Sequence, residues 1–77
     1  MVYIHDRITI DPEIMGGKPT VRGRRITVSQ ILGQLALGET IEEMLTAYPI
    51  LELEDIKACL SFASLLAEQN LEAISVS

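Results

Sequence analysis

The sequence predicts a mainly α protein: a trihelical helix-turn-helix core preceded by a short N-terminal β hairpin arm. Three observations predict it. After residue 28, apolar residues recur at helical spacing in three blocks, each opened by a capping or acidic residue. Val2, Ile4, Ile8 and Ile10 instead alternate with polar residues, which is the period of a strand. Between the two regimes, residues 16–28 hold four of the six basic residues and three of the five glycines.

Taken in order, the alternation predicts one or two strands within residues 2–10. Asp11-Pro12-Glu13 reads as a turn or a single helical turn, because Asp caps and Pro suits the first helical position. Gly16-Gly17 and Gly23 can take positive φ, so the chain is expected to reverse there. Thr20-Val21-Arg22 and Arg25-Ile26-Thr27-Val28 are β-branched and alternating, and read as a hairpin-like arm that carries Arg22, Arg24 and Arg25.

The first helix is expected from an N-cap at Ser29 to about Leu37, with Val28, Ile31, Leu32 and Leu35 as its apolar stripe. Gly38 suits the left-handed residue that ends such a helix. Thr40 with Glu43 forms a capping box for a second helix over about residues 41–48, which Pro49 stops. A third helix is expected over about residues 53–69, with Glu52, Glu54 and Asp55 at the end where the helix dipole favours negative charge. Asn70 can end it, and residues 71–77 carry a weak strand pattern.

At 77 residues the chain reads as one domain: strands and basic arm over 1–28, a three-helix core over 29–69, and a tail over 70–77. A hydrophobic content of 48% exceeds what so short a chain easily hides. Between Ile56 and Ala67 the only charged residue is Lys57, so the third helix is apolar over a wide arc. It is expected to form a homodimer or partner interface that includes Cys59, Phe62 and Leu66. The alternative is a helix buried on most sides within one protomer.

The net charge of −5 hides an asymmetry: residues 1–28 sum to +2 and residues 29–77 to −7. Acidic balance disfavours non-specific attraction to nucleic acid, so any polyanion must be met by the arm. The expected contacts are Lys18, Arg22, Arg24 and Arg25. The arginines could instead pair with Asp6, Asp11 or Glu13 and hold the arm to the core. One cysteine allows no internal disulfide, and neither a charged leader nor a membrane-length apolar run is seen, so a cytoplasmic protein with no membrane contact is expected.

No catalytic, metal or cofactor constellation is legible. Gly16-Gly17-Lys18 lacks the earlier glycine and the following Ser or Thr of a phosphate loop. His5 is the sole histidine and Cys59 has no histidine near it in sequence. An enzyme is not expected.

Gly17-Lys18-Pro19, Arg22-Gly23-Arg24-Arg25-Ile26-Thr27-Val28 and Tyr48-Pro49 stand where a known bacterial family has its signature. Over about residues 6–67 the chain resembles the domain of unknown function 433 family. The resemblance implies a homeodomain-like or winged-helix-like fold. For some members it implies an antitoxin role, with a PIN-like ribonuclease toxin as partner and repression of the shared operon. Against simple operator binding, the third helix would present Glu52, Glu54 and Asp55 to phosphates. Two functions follow as expectations: an antitoxin-like DNA-binding dimer, or a protein-interaction module with no nucleic-acid role.

Overall fold

Two hairpin turns organise the first 28 residues of the computed structural model, which describes residues 1–69. The turn expected at Asn70 and the strand pattern of 71–77 lie outside the described residues. β1 (Val2–His5) turns through Asp6-Arg7 into β2 (Ile8–Ile10), and β3 (Thr20–Val21) pairs with the other side of β2. Both pairings are antiparallel, so the sheet runs β1-β2-β3. Between β2 and β3 the Asp11 carboxylate accepts from the Glu13 amide at 2.9 Å, and a 3-10 turn spans Met15–Gly17.

Beyond β3, Arg22 and Gly23 both take positive φ, 48° and 69°, and the Arg24 amide donates to the Val21 carbonyl at 2.8 Å. These are the marks of a β-turn with both central residues left-handed, set in a four-residue loop between Val21 and Ile26. The returning strand bridges Thr27 to Thr20, and the Val21 amide donates to the Ile26 carbonyl. The expected hairpin is therefore present, but as the inner edge of a three-stranded sheet rather than a projecting arm. The molecule is a mixed α/β domain, with three helices following that sheet.

α1 (Val28–Ala36), α2 (Ile41–Ala47) and α3 (Leu53–Ala67) follow. α1 is capped by Thr27, whose hydroxyl accepts from the Gln30 amide at 3.0 Å, and not by Ser29. Thr27 is still bridged to β3, so the chain enters the helix directly from the sheet and Ser29 falls inside the first turn. Gly38 adopts φ 98° at the far end, as the left-handed stop requires. The capping box of α2 forms, with the Glu43 amide on the Thr40 hydroxyl and the Thr40 amide on the Glu43 carboxylate. The bond from the Thr40 amide, helped by the nearby Thr40 hydroxyl, holds the Glu43 carboxyl below its ordinary range.

α3 packs on α1, α2 and β2. Ile8, Val21, Ile31, Met44, Ile56 and Cys59 are fully buried where these elements meet. The hydroxyl of Tyr48 accepts from the side-chain amides of Gln30 and Gln34, tying the end of α2 to α1. The even-numbered apolar pattern of the first strands is broken by a register shift between Tyr3 and His5. Ile8 is buried while Val2 and Ile4 stay exposed, and Thr9 is buried against Thr20 on the opposite face.

Candidate functional site

Asp55 stands in the first turn of α3 with no exposed surface, and two hairpin-turn arginines converge on it. Arg22 donates from Nε to Oδ1 at 2.9 Å and from Nη2 to Oδ2 at 2.7 Å, and Nη2 also reaches the Ile50 carbonyl. Arg7 donates from Nη1 to Asp55 Oδ1 at 2.9 Å and to Glu52 Oε1 at 2.6 Å. The Glu52 amide fills a further site on Asp55 Oδ2 at 2.8 Å. Arg7 and Arg22 both lie in the left-handed region, at φ 63° and 48°, and the Arg22 amide donates to the Arg7 carbonyl. Each turn thus holds a side chain where Gly or Asn is usual, at a cost of about 1 kcal/mol, which the charge-assisted bonds to Asp55 offset.

Burial alone would push the Asp55 carboxyl up. The hydrogen bonds from Arg22, the Glu52 amide and Arg7 outweigh it and hold the group below the usual carboxylate range. Its carboxylate is therefore a structural anion, which joins both hairpin turns to α3. Sequence reasoning grouped Arg22 with the contact residues and Asp55 with the helix-start acids. Their pairing across 33 positions was missed, and so was Arg7.

The other three basic residues of the arm are placed differently. Lys18, Arg24 and Arg25 are exposed and make no ion pair among the described residues. Cys59, expected at an oligomer interface, is instead fully buried in the core of the single chain. Its face of α3 is covered by the sheet and by α1 and α2 before any second chain is met. Burial and the nearby Asp55 charge push its thiol up to about 11, so it is an inert packing group.

Phe62 and Leu66, the other two expected interface residues, leave the core. Phe62 is half-buried, with its ring 5.9 Å from that of His5, and Leu66 is exposed. Together with Lys18, Pro19, Thr27, Val28, Ser29, Leu32 and Gly33 they line an open, mainly apolar groove of about 500 Å³. Leu60, Leu65 and Leu66 are 45–50% exposed, so the second half of α3 is largely uncovered by the described residues.

The His5 Nε2 to Ser61 Oγ contact, 3.2 Å, opens onto a smaller cleft with Asp6, Glu54 and Lys57. Among the described residues no carboxylate bonds the second ring nitrogen, and no group of three potential ligands could hold a metal. No helix of the described residues is long and apolar enough to cross a membrane.

A three-stranded antiparallel sheet, pinned to the last of three helices by two arginines on a buried aspartate, defines the class: a small α/β domain with an apolar face left uncovered by the described residues. The family profile described as "Protein of unknown function (DUF433)" matches residues 8–63, and the chain belongs to that family, the one its motifs resemble. The "Uncharacterized protein y4eO" of Sinorhizobium fredii is 41% identical over 63 residues, covering 82% of this chain and 27% of that protein. A crystal structure of a DUF433 member from Anabaena variabilis is similar with a TM-score of 0.75 at 32% identity, over 82% of this chain and 62% of that one. The chain spans less than two thirds of either protein.

Proposed function

We propose that this chain is a protein-interaction module that self-associates and docks partners through the apolar groove and the second half of α3. The observation that carries the reading is the contrast between the two ends of α3. Its first turn is closed over Asp55, and its exposed carboxylates, Glu52 and Glu54, are held by Arg7 and Lys57. A helix entering a major groove by that end would bring the phosphates no net positive charge. Its second half shows leucines, a surface suited to another protein.

A second reading is favoured by Lys18, Arg24 and Arg25, which are exposed and have no ion-pair partner among the described residues. In this reading the helices act as a helix-turn-helix core of homeodomain-like or winged-helix-like kind, and the hairpin supplies phosphate contacts. The chain would then be an antitoxin-like regulator whose apolar face also holds a nuclease toxin. One experiment separates the two: the protein is titrated against its upstream DNA at two salt concentrations, with its mass measured in the same buffers. The module reading expects a dimer with no DNA bound at low salt. Salt-dependent binding that disappears in the Lys18→Ala, Arg24→Ala, Arg25→Ala variant would replace it with the regulator.

A further inference from the structure

Ser29, Gly33 and Leu37 follow at four-residue spacing, so they lie on one stripe of α1 and its C-cap. Ser29 and Gly33 line the apolar groove. Leu37 does the opposite and projects, at 90% exposure the most exposed large apolar side chain of the described residues. At Gly33, between them, a Cβ would find nothing within 4 Å, so a neighbouring helix can approach the backbone closely. The stripe therefore has a hollow one turn before Gly33 and a knob one turn after it.

Charge is disposed in the same way. Among the described residues Lys18 is the one charged residue lining the groove, and Glu39 follows Leu37 by two positions. Neither makes an ion pair among the described residues.

We propose that a second copy of this chain occupies the groove through α1. The two α1 helices cross antiparallel at Gly33 on a two-fold axis. Each Leu37 seats in the other copy's hollow between Pro19, Val28 and Ser29, and each Lys18 pairs with the partner's Glu39. An antiparallel crossing sets the residue four places after the pivot, about 6 Å along the axis, opposite the residue four places before it. Knob and hollow, acid and base are thus matched on either side of one point, the self-complementarity that a two-fold interface demands. An unrelated partner would need only the hollow. The proposal rests on the interaction reading above and specifies its geometry.

The test is the mass of the full chain by sedimentation across a wide concentration range, with circular dichroism as the check on folding. Leu37→Glu changes an exposed side chain, so it should fold normally while weakening the dimer by roughly tenfold or more. Lys18→Glu and Glu39→Lys should each weaken it, and the double exchange should restore it. Gly33→Cys should give a disulfide-linked dimer under mild oxidation, because only a crossing at that point brings the two Cα atoms within bonding range. A dimer that survives Leu37→Glu but is lost in Leu65→Glu would overturn the α1 crossing and leave the interaction reading intact on α3. A wild-type chain that stays monomeric throughout would remove this dimer together with the self-association in that reading.

Discussion

Asp55 is the residue on which the most depends. Its carboxylate is fully buried, while the two guanidiniums that bond it keep 29% and 26% of their side chains exposed. Deleting one partner of a fully buried pair costs about 3–5 kcal/mol, and water at the arginines brings the cost here to the lower end of that range. Asp55→Asn should therefore lower the urea midpoint sharply, with an unchanged denaturant slope if the variant still folds. The same site sets a pH dependence. The folded carboxyl is the stronger acid, so the unfolded chain takes up the proton first and acid favours unfolding. Its contribution is complete above the ordinary Asp value of about 4 and is lost as pH falls through the lower, folded value. Denaturant midpoints measured down that range should fall steeply in the wild type and more gently in Asp55→Asn. Little of this was legible in the sequence. Asp55 reads there as one of three acids at a helix start, and its arginines come from turns whose closure is a tertiary event. The one local signal was Arg22 standing before Gly23 in a hairpin turn, a position where a long side chain needs a reason to be.

At the scale of elements, the sequence was most informative where the rule is local. The Thr40–Glu43 capping box, the stop at Gly38 and the end of α2 before Pro49 all stand where stripe and cap placed them. The start of α1 did not, because Ser29 and Thr27 are both good caps and only the bridge to Thr20 chooses between them. The strands were legible as strands but not as a sheet. Residues 25–28 lead β3 back alongside itself, yet nothing in their alternation says that β2 lies on the other side. Gly33 belongs to this scale too. It sits mid-helix with open space around it, so Gly33→Ala should stabilise the isolated chain by about 0.5–1 kcal/mol. If α1 crosses a second α1 there, the same methyl group pushes the helices apart. Thermal melts at low concentration should then rise while the dimer dissociation constant also rises, two opposite effects from one substitution.

For the whole molecule, the charge asymmetry read from composition survives folding in altered form. Two of the five basic residues in 1–28, Arg7 and Arg22, are spent internally. What remains for a polyanion is Lys18, Arg24 and Arg25, on a chain whose net charge is −5. Were these three to meet phosphates, the logarithm of the binding constant would fall with that of salt at a slope of about −2.7 per protomer. A slope near zero, or no complex, is expected for the interaction module. Among the described residues, the three side chains that the apolar content of α3 singled out end in three different places. Cys59 is inside, Phe62 is at the rim and Leu66 is outside, because α3 outlasts the sheet and helices packed on its first half.

The clamp on Asp55 also says something about how the chain reaches this state. Arg7 and Arg22 are 48 and 33 positions from the carboxylate that holds them, and both sit in backbone geometry they would not choose alone. Neither hairpin is therefore worth forming until α3 has arrived. The sheet and the first turn of α3 should appear together in a single late step, with no sheet-only intermediate. Amide hydrogens of Val21, Arg22 and Asp55 should then share one protection free energy, that of global opening. A chain cut before Glu52 should show the β signal of neither hairpin.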